Sequence, residues 1–164
     1  MPDGAERRNG ARPCPEIMAM QGRSAGSGSK APPRDGRLIE VAVSPGELID
    51  KVSILEIKAA RIGDPDKLKS VARALELLQE TRRRCLPPSD ALTRLEAELK
   101  QTNEALWDIE DAIRACEAAG DFGPRFVELA RSVYKTNDRR AAAKKRIDLL
   151  FGSEISDEKS YQHY

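Results

Sequence analysis

Two stretches hold most of the residue types that could do chemistry. VYKTNDRRAAAKKRID (133–148) gathers Arg139, Arg140, Lys144, Lys145 and Arg146. NEALWDIEDAI (103–113) holds the only tryptophan, Trp107, beside Glu104, Asp108, Glu110 and Asp111. The cations of the first stretch suit a carboxylate or a phosphate, which arginine grips with a planar fork and lysine as a point charge. The carboxylates of the second could hold a divalent metal or divide acid and base work. A metal centre in a helical bundle is usually built with histidines, and the only histidine here is His163, next to the end of the chain. Cys14, Cys85 and Cys116 are scattered, with no C-x-x-C pair, which argues against a disulfide framework or a zinc site. No metal or cofactor is expected.

The pivotal residue is Arg140. Phe126, Leu129, Val133, Thr136, Arg140, Ala143, Ile147 and Leu150 alternate three and four apart, so the arginine falls on the apolar stripe of a helix. A guanidinium in such a seam is costly unless carboxylates or carbonyls meet it. The preceding amphipathic stretch has the matching pattern: Leu92, Leu95, Leu99, Thr102, Leu106, Ile109, Ile113 and Cys116. If the two fold back about residue 121, Thr102 and Arg140 come level, with Asn103 and Asn137 beside them. Glu56, Glu104, Glu110 and Asp111 are the candidate partners of the guanidinium. Three readings follow. Arg140 belongs to an ion-pair layer that fixes helix register, or it floors a small anion site with Arg139 and Lys144, or it snorkels out and alanines do the packing. The residues singled out for the layer or the site are Arg139, Arg140, Lys144, Asn137, Asn103, Trp107, Glu110, Asp111, Lys51 and Glu56.

The elements that must position these residues are marked by strong punctuation. Ser44-Pro45-Gly46-Glu47 reads as a capping box opening a first helix to about Ile62, with Leu48, Val52, Leu55, Ala59 and Ile62 as its stripe. Asp64-Pro65 opens a second helix, with Leu68, Val71, Leu75 and Leu78, to about Arg84. Ser89 or Asp90 caps the third, and a Gly-containing turn at 118–125 separates it from the fourth, which Gly152 ends. Short connections make neighbours antiparallel. The expected class is therefore all-α, an antiparallel helical bundle built on a long hairpin of the third and fourth helices with two shorter N-terminal helices. Residues 1–36, rich in Gly, Pro, Ser and Arg, read as a disordered leader that contains two internal methionines, Met18 and Met20. Residues 37–43 look extended and are expected to lie against the helices, residues 37–152 form the bundle domain, and 153–164 are a tail expected to dock on it.

Composition agrees. Of 164 residues, 34% are charged and only 4% aromatic, a helical rather than a sheet balance. Lys plus Arg is 28 and Asp plus Glu 27, a formal net charge of +1, so nothing in the whole-chain charge draws the protein to nucleic acid or to a membrane. No apolar run approaches a membrane span. A cytoplasmic setting is the expectation.

Four segments, SPGELIDKVSILEIKAARI, NEALWDIEDAI, FVELARSVYKTNDRRAAAKKRID and GSEISDEKSY, together resemble a family of small bacterial helical proteins of uncharacterised function. The resemblance covers roughly residues 41–164. It implies a helical fold and a setting near glycosyltransferase and cell-surface polysaccharide genes, and it implies no catalytic residue. The ELIDKVSILEIKAARI helix also has a likeness to the first helix of chorismate mutase-type enzymes, which grip dicarboxylates with cations from several helices. This is an analogy only, because the spacing elsewhere departs from that pattern. The first expectation for function is a non-catalytic interaction module, through self-association or a protein partner, with an exposed apolar strip or a dimer interface on the first or second helix. The alternative is a binder or enzyme for an anionic small molecule in a polar pocket at mid-bundle. Nucleic-acid binding through 139–146 ranks last, since no aromatic residue interleaves the basic run.

Overall fold

A computed structural model of the chain describes residues 38–155. The proposed leader, the tyrosines and histidine of the tail, and Cys14 lie outside the described residues. Residues 38–43 form neither helix nor strand. The helical unit starts at Ser44 and contains α1 (Pro45–Arg61), α2 (Pro65–Cys85), α3 (Asp90–Ala119) and α4 (Pro124–Phe151). It is the antiparallel bundle on a long hairpin that the periodicity implies.

The caps are those the sequence advertises. Ser44 accepts from the Glu47 amide, Asp64 from the amides of Asp66 and Lys67, and Ser89 from that of Leu92, so three helix starts have an orphan amide satisfied. Gly120 and Gly152 close α3 and α4 in the left-handed region, with φ of 65° and 60°, where a side chain would be strained. The capping box at α1 is only half formed. The Glu47 carboxylate turns to Lys144 of α4 instead of returning to its own cap.

The helices do not share burial evenly. α1 touches α2, α3 and α4, whereas α2 packs on α1 and reaches α3 through a bidentate pair, Arg82 to Glu96 at 2.8 and 2.9 Å. This centrality explains a departure from the expected stripe of α1. Leu48, Ile49, Asp50, Val52, Ser53 and Ile57 are buried, while Leu55 is only half-buried and Ala59 is exposed. A helix with neighbours on three sides buries more than one face. The core joins Leu48, Ile49, Val52, Leu92, Leu95, Leu99, Ala143 and Ile147, with Leu75 and Leu78 of α2 half-buried against it.

Two stripe positions of the hairpin are also corrected. On α3 the buried residue at mid-helix is Asn103, and the Thr102 hydroxyl donates to the Glu98 carbonyl of its own helix. On α4 Leu150 is exposed and Asp148 is buried, because the Asp148 carboxylate accepts the Gly46 amide at the start of α1 at 2.7 Å. A carboxylate there also complements the positive end of the α1 dipole.

Candidate functional site

The polar layer exists, and its centre is Asp50. The sequence LID places this aspartate among the apolar residues that α1 buries, and its side chain is 3% exposed. Arg140 donates to it twice, Nε to Oδ1 at 2.8 Å and Nη2 to Oδ2 at 2.5 Å. Asn103 donates from Nδ2 both to Asp50 Oδ1 at 3.0 Å and to Ser53 Oγ at 2.8 Å. The Ser53 hydroxyl donates back to the Asp50 carbonyl at 2.9 Å. One turn nearer the start of α1, Lys144 pairs with Glu47, and beyond it Asp148 holds Gly46. α1 is thus pinned to α4 at three successive levels and to α3 at Asn103. Arg140's partner is none of the four carboxylates proposed for it. Asp50 is one of several charges on the first helix, and periodicity does not connect it to a residue 90 positions away.

The electrostatics follow from this packing. Burial pushes the Asp50 carboxyl up, but hydrogen bonds from Arg140 and Asn103 and the charges of Arg140 and Lys144 outweigh it, and the net shift is down. The Arg140 guanidinium is held charged by its bond to Asp50, against the opposing effect of its own burial. A carboxylate with a lowered folded pKa gives stability that is complete above its unfolded value, about 3.9, and is lost as pH falls through the folded value. Between pH 5 and pH 2 the urea midpoint of the wild type should therefore fall more steeply than that of Asp50→Asn. Parallel curves would show that Asp50 carries no such linkage.

Beside the layer lies an open cleft of about 450 Å³, lined by Ile54, Ile57 and Lys58 of α1, Asn103, Leu106, Trp107, Glu110, Asp111 and Arg114 of α3, and Arg140 of α4. Five of the ten residues singled out from sequence meet here: Asn103, Trp107, Glu110, Asp111 and Arg140. Arg114 pairs with Glu110 at 3.1 Å and Asp111 at 3.5 Å. The Arg61 guanidinium lies over the Trp107 ring, 5.8 Å from its centroid, and pairs with Asp108. Lys58 has no ion pair among the described residues. It was not among the site residues chosen from sequence, and neither was Arg114. Arg114 stands four and three residues after Glu110 and Asp111 on the same helix, which is a signal in sequence, whereas Lys58 has no such neighbour among the ten.

The other five stand elsewhere. Glu56 pairs with Lys100 at 2.8 Å and lines a second cleft of about 380 Å³ between α1, α2 and α3, together with Arg82 and Glu96. Lys144 sits with Glu47. Arg139 is exposed and donates to Thr136 Oγ1 at 3.0 Å, Lys51 is exposed, and Asn137 is half-buried outside the cleft lining. Arg139 and Lys144 therefore do not join Arg140 around one anion. The basic run is not a single patch either, since Arg146 reaches Glu98 at 2.6 Å. No group of three or more potential metal ligands occurs among the described residues. No helix among them is long and apolar enough to cross a membrane. Every buried side-chain nitrogen and oxygen described has a hydrogen-bond partner.

The exposed apolar surface is not on α1 or α2, where an interaction strip was expected. Large exposed hydrophobic residues among the described helices fall on α4, at Val127, Tyr134, Leu149 and Leu150, and Phe122 adds to them in the hairpin turn. α1 ends at Arg61, level with Asp108, and α2 reaches the hairpin only through side chains at the other end of α3, around Leu92–Leu99. α3 runs on for roughly three further turns and α4 returns alongside.

Residues 39–164 match the family of unknown function DUF6165, and the chain belongs to that family. No curated protein and no solved structure matches it.

Proposed function

We propose that this member of the family is a non-catalytic helical interaction module whose working surface is the tip of the α3–α4 hairpin. The observation that carries this reading is the closure of the polar layer. Asp50, Arg140, Asn103 and Ser53 satisfy one another, so the most chemical-looking residues of the sequence are spent on register. The tip is where the fold leaves apolar surface without a third helix. Ile113, Phe126, Leu129 and Val133 are only half-buried there, Phe122 is 55% and Val127 46% exposed, and the Phe122 and Phe126 rings meet edge to face at 5.3 Å. An amphipathic hairpin missing part of its partner surface suits helix-on-helix recognition. An accessory role in cell-surface glycan biosynthesis belongs to this reading through the family resemblance, not through the geometry.

A photo-crosslinking residue at position 127, in the full-length chain in cells, tests the reading. It should give an adduct of discrete mass that a crosslinker at the exposed Arg73 of α2 does not give. Equal labelling at both positions would overturn it.

The cleft beside Arg140 supports a second reading, a site for an anionic small molecule, because Lys58, which has no ion pair among the described residues, lines it together with Trp107 and Leu106. A carboxylate or phosphate on Lys58, with an apolar body against Trp107 and Leu106, is the ligand chemistry this cleft would take.

A further inference from the structure

We infer that the hairpin tip docks against the same face of a second copy of this chain, the two hairpins forming an intermolecular four-helix bundle about a dyad parallel to their long axis. This rests on the reading of the tip as an interaction surface and names its occupant. The argument starts from the face that α1 covers lower down. Val127, Ala130, Asn137, Ala141, Lys144 and Asp148 recur at spacings of three, four and seven on α4, and so share a face. Its C-terminal end is buried: α1 sits on Lys144 and Asp148. At its other end Val127 and Ala130 are exposed. The tip thus continues a face built to bury against a helix, past the point where the chain's own helix stops.

Charge identifies what fits it. In the tip, α3 carries Glu110, Asp111 and Glu117 against Arg114, and α4 carries Arg125, Arg131 and Lys135 against Glu128. One arm is acidic and the other basic. Arg114 is already engaged by Glu110 and Asp111, whereas Arg125, Arg131 and Lys135 have no ion pair among the described residues. Two copies can meet face to face with the dyad along the hairpin or across it. Across it, α3 would face α3 and α4 would face α4, stacking like charges. Along it, α3 of each copy faces α4 of the other, antiparallel, as neighbours in such a bundle are. The register agrees. Asn103 and Arg140 meet at one level on Asp50, and counting outward from there brings Asp111 of one copy level with Arg131 and Ser132 of the other.

The test is light scattering on the full-length protein over a concentration series, at low and high salt. The wild type should be a dimer that salt weakens. Arg131→Glu and Asp111→Arg should each raise the dissociation constant at least tenfold. The double variant should restore it to within a few-fold of wild type. Both positions are exposed, so unchanged melting temperatures would show that the fold is intact. A wild type that stays monomeric at every concentration, or a dimer indifferent to all three variants, overturns the inference. A monomer that still gives a discrete adduct from position 127 would refute the second copy as occupant and leave the interaction reading standing.

Discussion

Asp50→Ala should cost about 3–5 kcal/mol of stability, the range for breaking a buried ion pair from one side. In a domain of this size that is a fall of roughly 10–20 °C in melting temperature. The loss has two parts. The Arg140 guanidinium, half-buried, would keep its charge with no carboxylate to meet it, and Asn103 would lose one of its two acceptors. Asp50→Leu combined with Arg140→Met should recover much of the loss, because an apolar pair of similar volume removes the stranded charge while Ser53 still accepts from Asn103. Urea denaturation of the single and double variants measures both effects. Equal stability of Asp50→Ala and wild type would mean that the layer does not hold α1 in place.

Gly46→Ala should also destabilise, against the usual benefit of replacing glycine in a helix. A Cβ at position 46 would stand 2.6 Å from the Lys144 carbonyl oxygen, 2.9 Å from Asp148 Oδ1 and 3.0 Å from the Lys144 carbonyl carbon. Two of those atoms are helical backbone of α4, so relief requires α1 and α4 to separate. That stretches the Gly46 amide bond to Asp148 and the Glu47–Lys144 pair together. Overpacking of this kind costs about 1–3 kcal/mol. A shift of the urea midpoint to higher denaturant would contradict the close approach.

Helix boundaries were legible because they are written in local chemistry. Ser44-Pro45, Asp64-Pro65, Ser89, Gly120 and Gly152 each satisfy or release backbone groups within a few residues of themselves. The existence of a polar layer was legible too, since an arginine in a leucine-spaced stripe has to find a partner. Its identity was not. One residue along a helix turns the side chain by about 100°, so the even count that paired Thr102 with Arg140 needed only a small rotation of α3 to bring Asn103 inward instead. The same rotation decides whether Arg140 meets Asp50 or a carboxylate of the cleft, and no periodicity encodes it. Asp148 follows a run of cations in sequence, and its burial depends on the start of α1 packing against it, which no local pattern encodes. Lys51 and Arg139 adjoin Asp50 and Arg140 in sequence but are exposed, because neighbours on a helix point different ways.

The account turns on whether Arg140 holds the fold or holds a ligand. Thermal melts of wild type and Arg140→Ala, alone and with phosphosugars, sugar nucleotides and dicarboxylates, decide it most directly. Arg140→Ala is expected to melt well below wild type with nothing added, since it strands the buried Asp50 carboxylate, and none of the anions should raise the wild-type melting temperature. The opposite result would contradict the account: an Arg140→Ala protein that melts with wild type, and an anion that raises the melting temperature of wild type but not of the variant.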